Sequence, residues 1–447
     1  MLTHTALGDS RLSFWPRVRE FAVPLPMIES ATARRLVGDW AGACAAAGID
    51  VDFPPRSVAR THGSELAARL RADLRHLAPD LLRWHMPRIA PDGLLRPGLT
   101  ISLARYADAG RDGPGPLHLV ARTAPAWADS GQRISLALWD GSPADAAASR
   151  HPHPHPSRRF RLDLHRHLWD VRRTDELRTR GGNGTPWGVD RWAAEADLLL
   201  RADGRPPGPV VVRVGARQRL VLERYGDGVG PPHVTPAPFD GSVSALPVLP
   251  DAATWVPPDV ELVRSGAIEV ERLHPLVASA LAPGCSATGP PPAVDGAGRP
   301  RPVQCRGAEH RIGLVEGTLT ALDHDPAEIR REELLAALGG TPLPCLQAID
   351  TAHRDPACLT DVRERLRHGD TAGALAVVEN LLGPAAVLRD GALRDELERA
   401  AQGRITYGLY RAGLSGPAPE RVPPARGHTP GRRTRPRRSG PRHSTLR

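Results

Sequence analysis

Leu99-Thr100-Ile101-Ser102-Leu103-Ala104-Arg105-Tyr106 alternates apolar and polar side chains at its start, with the period of two expected of a strand that buries one face. Just upstream the period is 3.6. Leu66, Leu70, Leu74 and Leu77 fall on one stripe of a helix that Ser64 precedes, and Pro79 and Pro87 bracket a further short helix at Asp80–His85. The change of period separates a helical unit at 24–95, preceded by an arm at 1–23, from a β-rich region at 97–230.

Further runs of strand character follow at Leu117–Thr123, Arg133–Leu138, Arg159–Leu164, Asp197–Arg201, Val210–Val214 and Gln218–Tyr225. Short connections such as Gly215-Ala216-Arg217 favour antiparallel hairpins over crossover helices. Residues 231–305 form a Pro/Gly-rich connection with a helical hairpin at 251–282, and 306–414 are mainly helical, opening on a strand pair at His310–Asp323. Asp325-Pro326-Ala327-Glu328 is a capping box with proline at the first helical position. The expected class is α+β: helices at both ends, antiparallel sheet between them, and a tail at 415–447.

The pattern Gly-Asp-x-Ala-Gly-Ala-x-Ala occurs twice, at Gly38–Ala45 and Gly369–Ala376. Glycine ends one helix, aspartate caps the next and small residues let the two pack closely. Similar turns recur in tetratricopeptide arrays. Two copies without a fixed period point instead to ordinary helical hairpins.

All 59 basic side chains are arginine. With no lysine, a P-loop lysine on phosphates, a Schiff base and a lysine general base are all excluded. A coding sequence of high GC content is the simplest origin of that bias. The tail carries nine arginines against one acid, Glu420, so the formal charge of +9 shrinks to near neutrality over 1–414. Such a tail is expected to be disordered and to meet a polyanion or nucleic acid through Arg432, Arg433, Arg435, Arg437 and Arg438 by counterion release. No apolar run reaches the ~18 residues of a membrane span and no signal-type segment opens the chain, so a cytoplasmic protein with no membrane contact is expected.

Asp163-Leu164-His165-Arg166-His167 resembles the D-x-H-x-H that ends the first strand of amidohydrolase-like and polymerase-histidinol-phosphatase-like barrels. The resemblance implies a divalent metal on the histidines and a hydrolase that activates water with it. A barrel needs about eight β/α units, whereas strand character fades here after Tyr225. The residues alone predict the wet face of a strand.

His151-Pro152-His153-Pro154-His155-Pro156 reads as a solvated polyproline-type loop. The spread Cys285, Cys305, His310, His324 lacks a Cys-x-x-Cys knuckle and reads as ordinary thiols in a loop and at a strand edge; Cys44 reads as core packing. Trp187 and Trp192, beside the Gly-rich stretch 180–187, are candidates for a binding surface. No nucleophile elbow, dinucleotide turn or zinc-protease helix occurs. The sequence therefore predicts a non-enzymatic interaction or adaptor protein with an unidentified protein partner and no cofactor. The alternatives are a metal-dependent hydrolase on Asp163, His165 and His167, or polyanion association through the tail.

Overall fold

The computed structural model describes residues 12–106, 116–128, 131–141, 151–181, 186–214, 218–223, 233–238, 243–282 and 300–416. Cys285 and the arginines of the tail lie outside them. Helices occupy both ends and antiparallel sheets the middle, the α+β arrangement expected.

The first sheet contains β1 (Ile49–Val51), β4 (Thr100–Tyr106), β5 (Leu117–Thr123) and β6 (Ile134–Trp139), in the order β1-β6-β5-β4. A separate ribbon pairs β2 (Arg88–Ile89) with β3 (Leu94–Leu95). Antiparallel pairing joins β4 to β5 and β5 to β6, while β1 adds in parallel beside β6. A second sheet joins β7 (Val210–Val214), β8 (Gln218–Glu223) and β9 (His233–Pro236); a third joins β10 (Arg301–Cys305), β11 (Ala308–Val315) and β12 (Thr318–Ala321).

Two of the expected strands take other forms. Asp197–Arg201 lies inside the helix Trp192–Ala202, where Trp192, Ala196, Leu199 and Leu200 are buried along one face. Arg159–Leu164 is a turn touching β4 by one bridge, Ser102 to Arg161, and it runs into a 3-10 turn at Arg166–Leu168.

Three apolar cores result among the described residues. The largest packs Leu66, Leu70, Leu74 and Leu77 of the N-terminal helices against Ile101, Leu103, Leu119 and Leu136 of the first sheet, together with Leu262 and Val277. A smaller one packs the third sheet (Ile312, Leu319) against C-terminal helices (Ile349, Val362, Val378, Leu382). The third joins the Trp192–Ala202 helix to β7 and β8.

Ion pairs and hydrogen bonds run through the largest core, because a charge removed from water must be compensated inside. Arg19 meets Asp259 at 2.9 Å, both buried, and His274 meets Asp80 at 2.9 Å. The buried Arg83 guanidinium donates to the carbonyl oxygens of Ala22, Gln132 and His368, tying the N-terminal helices to the C-terminal ones. Tyr407 and Arg411 of the last helix, Ala392–Ala412, reach the first sheet through Asp50 at 2.7 and 2.9 Å.

Candidate functional site

The residues of the D-x-H-x-H stretch meet internal partners. Arg161 grips the Asp163 carboxylate through Nε at 2.9 Å and Nη2 at 2.8 Å. The His165 ring lies between the Arg161 carbonyl, 2.8 Å from Nδ1, and Glu195, 3.1 Å from Nε2. Glu195 also accepts two hydrogen bonds from Arg180, at 2.8 and 2.7 Å. Burial opposes ionisation of Glu195, yet His165 and Arg180 hold its carboxyl down at about 2. His167 is buried beside Glu176, and desolvation together with the Arg180 charge lowers its pKa far below the usual imidazole range. The donor atoms of Asp163, His165 and His167 do not converge to metal-binding distance among the described residues.

The other expected sites are also drawn inward. His151 is buried, with Nε2 2.9 Å from the Thr123 carbonyl at the end of β5, so the His-Pro run begins inside the fold rather than as a wholly solvated loop. The Trp192 indole donates to the Trp187 carbonyl at 2.9 Å, and Trp192 is a core residue of the third cluster. A cleft of about 530 Å³ between β5, the segment after β1 and the last helix is lined by Asp52, Arg122, His151, Tyr407, Tyr410 and Arg411. Its Asp52 and Arg411 are already paired with each other.

A different cluster forms where the sequence offered no local motif. Cys305 at the end of β10, His324 just after β12, and Cys345 in the first turn of the helix Pro344–Arg354 bring their donor atoms within 4.8 Å of one another. Both thiols are fully buried, and burial together with the neighbouring Cys305 pushes Cys345 up to about 11. His310 on β11 lies beside this group, its ring centroid 4.2 Å from that of His324.

Glu328 lies at the edge of the cluster. A capping box would turn its side chain back to the Asp325 amide. Asp325 does cap the helix Pro326–Ala337, accepting from the Ala327 N–H at 2.8 Å. Glu328 instead faces His324 Nδ1 at 3.5 Å and accepts from Arg306 at 2.7 Å. Arg306 also donates to Glu332 at 2.7 Å, so the residue after Cys305 is bound to the helix that follows His324.

The same helix carries the other exposed feature. It has no buried residue, and Leu334, Leu335 and Leu338 are 66%, 53% and 85% exposed on adjoining positions of one face. No helix among the described residues is long and apolar enough to cross a membrane, so this is not a spanning segment. Comparisons of the chain with protein-family models, with curated proteins and with solved structures give no match.

Proposed function

We propose that this is a non-enzymatic interaction protein, an adaptor whose partner docks on the Leu334, Leu335 and Leu338 face. The carrying observation is that face itself: a three-turn helix with no fully buried residue, on which Ile329 packs against the small core while Leu334, Leu335 and the C-cap Leu338 point to solvent. Leucines at i, i+1 and i+4 form the kind of stripe that an amphipathic helix of another protein covers. Large apolar groups left in water on an otherwise capped and ion-paired helix mark a surface that gains stability when covered. The internal pairing of Asp163, His165 and Glu195 supports the non-enzymatic reading, since these groups are occupied with one another and with arginine.

The test is a paired capture. Wild type and the double variant Leu334→Asp/Leu338→Asp are compared as bait at equal helix content and equal melting temperature. A stoichiometric partner retained by wild type and lost by the variant supports the reading; retention by both, or capture of nothing by wild type, overturns it. The tail arginines favour a second reading, polyanion association. It requires that duplex DNA affinity at low salt fall when 415–447 are removed, and equal affinity with and without the tail rules it out.

A further inference from the structure

We propose that Cys305, His324 and Cys345, completed by His310, hold one zinc ion that locks the third sheet to the helix Pro344–Arg354. The four side chains come from four separate places: the end of β10, the body of β11, the turn after β12 and a helix N-terminus. Cys305 and Cys345 are fully buried in the small core, His324 brings a donor atom within 4.8 Å of both, and the His310 ring lies against that of His324.

Ligand chemistry selects the ion. Two sulfurs and two imidazoles form a borderline-soft donor set that suits Zn²⁺ and is unsuited to Mg²⁺ or Ca²⁺, which take oxygen ligands. In a tetrahedral site with bonds of about 2.0–2.3 Å, donor atoms sit about 3.3–3.8 Å apart. For Cys305, His324 and Cys345 the observed limit of 4.8 Å therefore needs a contraction of about 1 Å or somewhat more, within reach of side-chain rotation. His310, outside that limit but with its ring 4.2 Å from that of His324, has to swing in as the fourth ligand. Binding at neutral pH expels the two thiol protons to solvent as the sulfurs become ligands.

The imidazoles are arranged for this role. Nδ1 of His324 is turned toward Glu328, which leaves Nε2 as the free donor. That Nε2 is buried and has no hydrogen-bond partner among the described residues, and the same is true of His310 Nδ1. An unpartnered buried ring nitrogen is costly unless a ligand or proton occupies it, and here two adjacent rings, tilted 34° to one another, each carry one beside the two thiols. Glu328 is the carboxylate that orients a metal-bound histidine from behind, and Arg306 fixes Glu328 in turn. Four protein ligands leave no position for water, so the ion is structural rather than hydrolytic.

The decisive measurement uses the untagged full-length chain under a thiol-protecting reductant. Elemental analysis is expected to give one zinc per chain. Replacing it with Co²⁺ should give the intense visible bands of a tetrahedral site together with thiolate-to-cobalt charge transfer. Those charge-transfer bands separate this site from nitrogen-only binding by the His151–His155 run. Cys345→Ser and His324→Gln should each abolish stoichiometric zinc, and Glu328→Gln should weaken it about tenfold to hundredfold while leaving the stoichiometry at saturation unchanged. Cys44→Ser, in the largest core, should leave the zinc stoichiometry unchanged. Reduced wild type that shows no cobalt charge transfer overturns the proposal, whatever the folding of the variants, and so does unchanged metal content in Cys345→Ser.

Discussion

The two Gly-Asp turns are one local device placed in two environments. In each, an arginine five residues before the aspartate lends its backbone carbonyl to the aspartate N–H, at 2.9 Å for Arg34–Asp39 and 2.8 Å for Arg365–Asp370. Each guanidinium then meets the carboxylate at 2.9 Å. The glycine three residues on donates its N–H to that carboxylate, at 2.8 Å for Gly42 and 2.9 Å for Gly373. Gly38 and Gly369 both take the left-handed conformation, with φ of +80° and +89°. The surroundings differ. Val37, before the first glycine, is 81% exposed, whereas His368, before the second, is 1% exposed. The short-range pattern sets the turn, and long-range contacts decide whether it is solvated or used to dock one part of the molecule on another.

The sharpest way to break this comparison is to add the same methyl group to both turns. Alanine at Gly38 would meet no atom within 4 Å, so it incurs only the left-handed strain of about 1 kcal/mol. At Gly369 the new Cβ would lie 2.1 Å from the Gly131 carbonyl oxygen and 3.0 Å from Arg83 Nη2. Backbone would have to move, and Gly369→Ala is expected to cost about 3 kcal/mol or more. Urea unfolding midpoints measure both. Equal losses would mean that the second turn is not a docking point.

Acid sharpens the comparison next. Burial, then the charges of Arg88, Arg83, Arg367 and Arg17, lower the His368 pKa from an ordinary 6.5 to about 3, against which Glu364 at 3.8 Å is the nearby acid. The unfolded chain takes up a proton there below about pH 6.5 and the folded chain does not, so stability is full above that pH and falls as pH drops toward 3. The slope from this one group is at most about 1.4 kcal/mol per pH unit. Burial also lowers His85 and His118, each to about 4, so the informative quantity is the difference between variants. His368→Val, which installs the residue of the first turn, should flatten the loss between pH 6 and 5 by about 1 kcal/mol in urea titrations. An unchanged pH dependence would contradict a neutral buried His368.

Removing the caps has a smaller effect. Asp39→Ala on the exposed turn should lose about 1 kcal/mol, the usual value of an N-cap. Asp370→Ala should lose about 2 kcal/mol, because it also leaves the less exposed Arg365 with Asp361 as its remaining carboxylate. Thermal melts of the two variants give the ranking, and a reversed order would show that burial adds nothing to this cap.

These turns were legible in the sequence because their hydrogen bonds close within nine residues. The strands Leu117–Thr123 and Val210–Val214 were legible for a similar reason, since apolar runs between turn residues need no distant partner to be recognised. Asp197–Arg201 misled because five residues are too few to separate the two periods. Extended back to Trp192, the spacing of Trp192, Ala196, Leu199 and Leu200 is helical. The Cys/His cluster was the least legible feature. Cys305 and His310 flank a hairpin turn, but Cys345 enters from a helix 40 residues after Cys305, and tertiary packing alone brings it there. Glu328 carried a misleading signal, since its place in a capping box concealed its contact with His324.

The smallest predicted effect tests why the repeated pattern places glycine at the third helical position. A Cβ on Gly42 would sit 2.0 Å from Asp39 Oδ2, and one on Gly373 would sit 2.1 Å from Asp370 Oδ2. The capping carboxylate folds over the helix start and occupies the space that a side chain would take. Alanine inside a helix is otherwise favoured over glycine by about 1 kcal/mol. In the native chain Gly42→Ala therefore gains about as much from propensity as it loses from the displaced cap, and should shift stability by less than about 0.5 kcal/mol. In the Asp39→Ala background the carboxylate is gone and only the gain remains, so the same substitution should stabilise by about 1 kcal/mol. A double-mutant cycle on melting temperature reads the difference. Simple additivity would mean that cap and glycine act independently; a coupling of about 1 kcal/mol would show that the pair is chosen together.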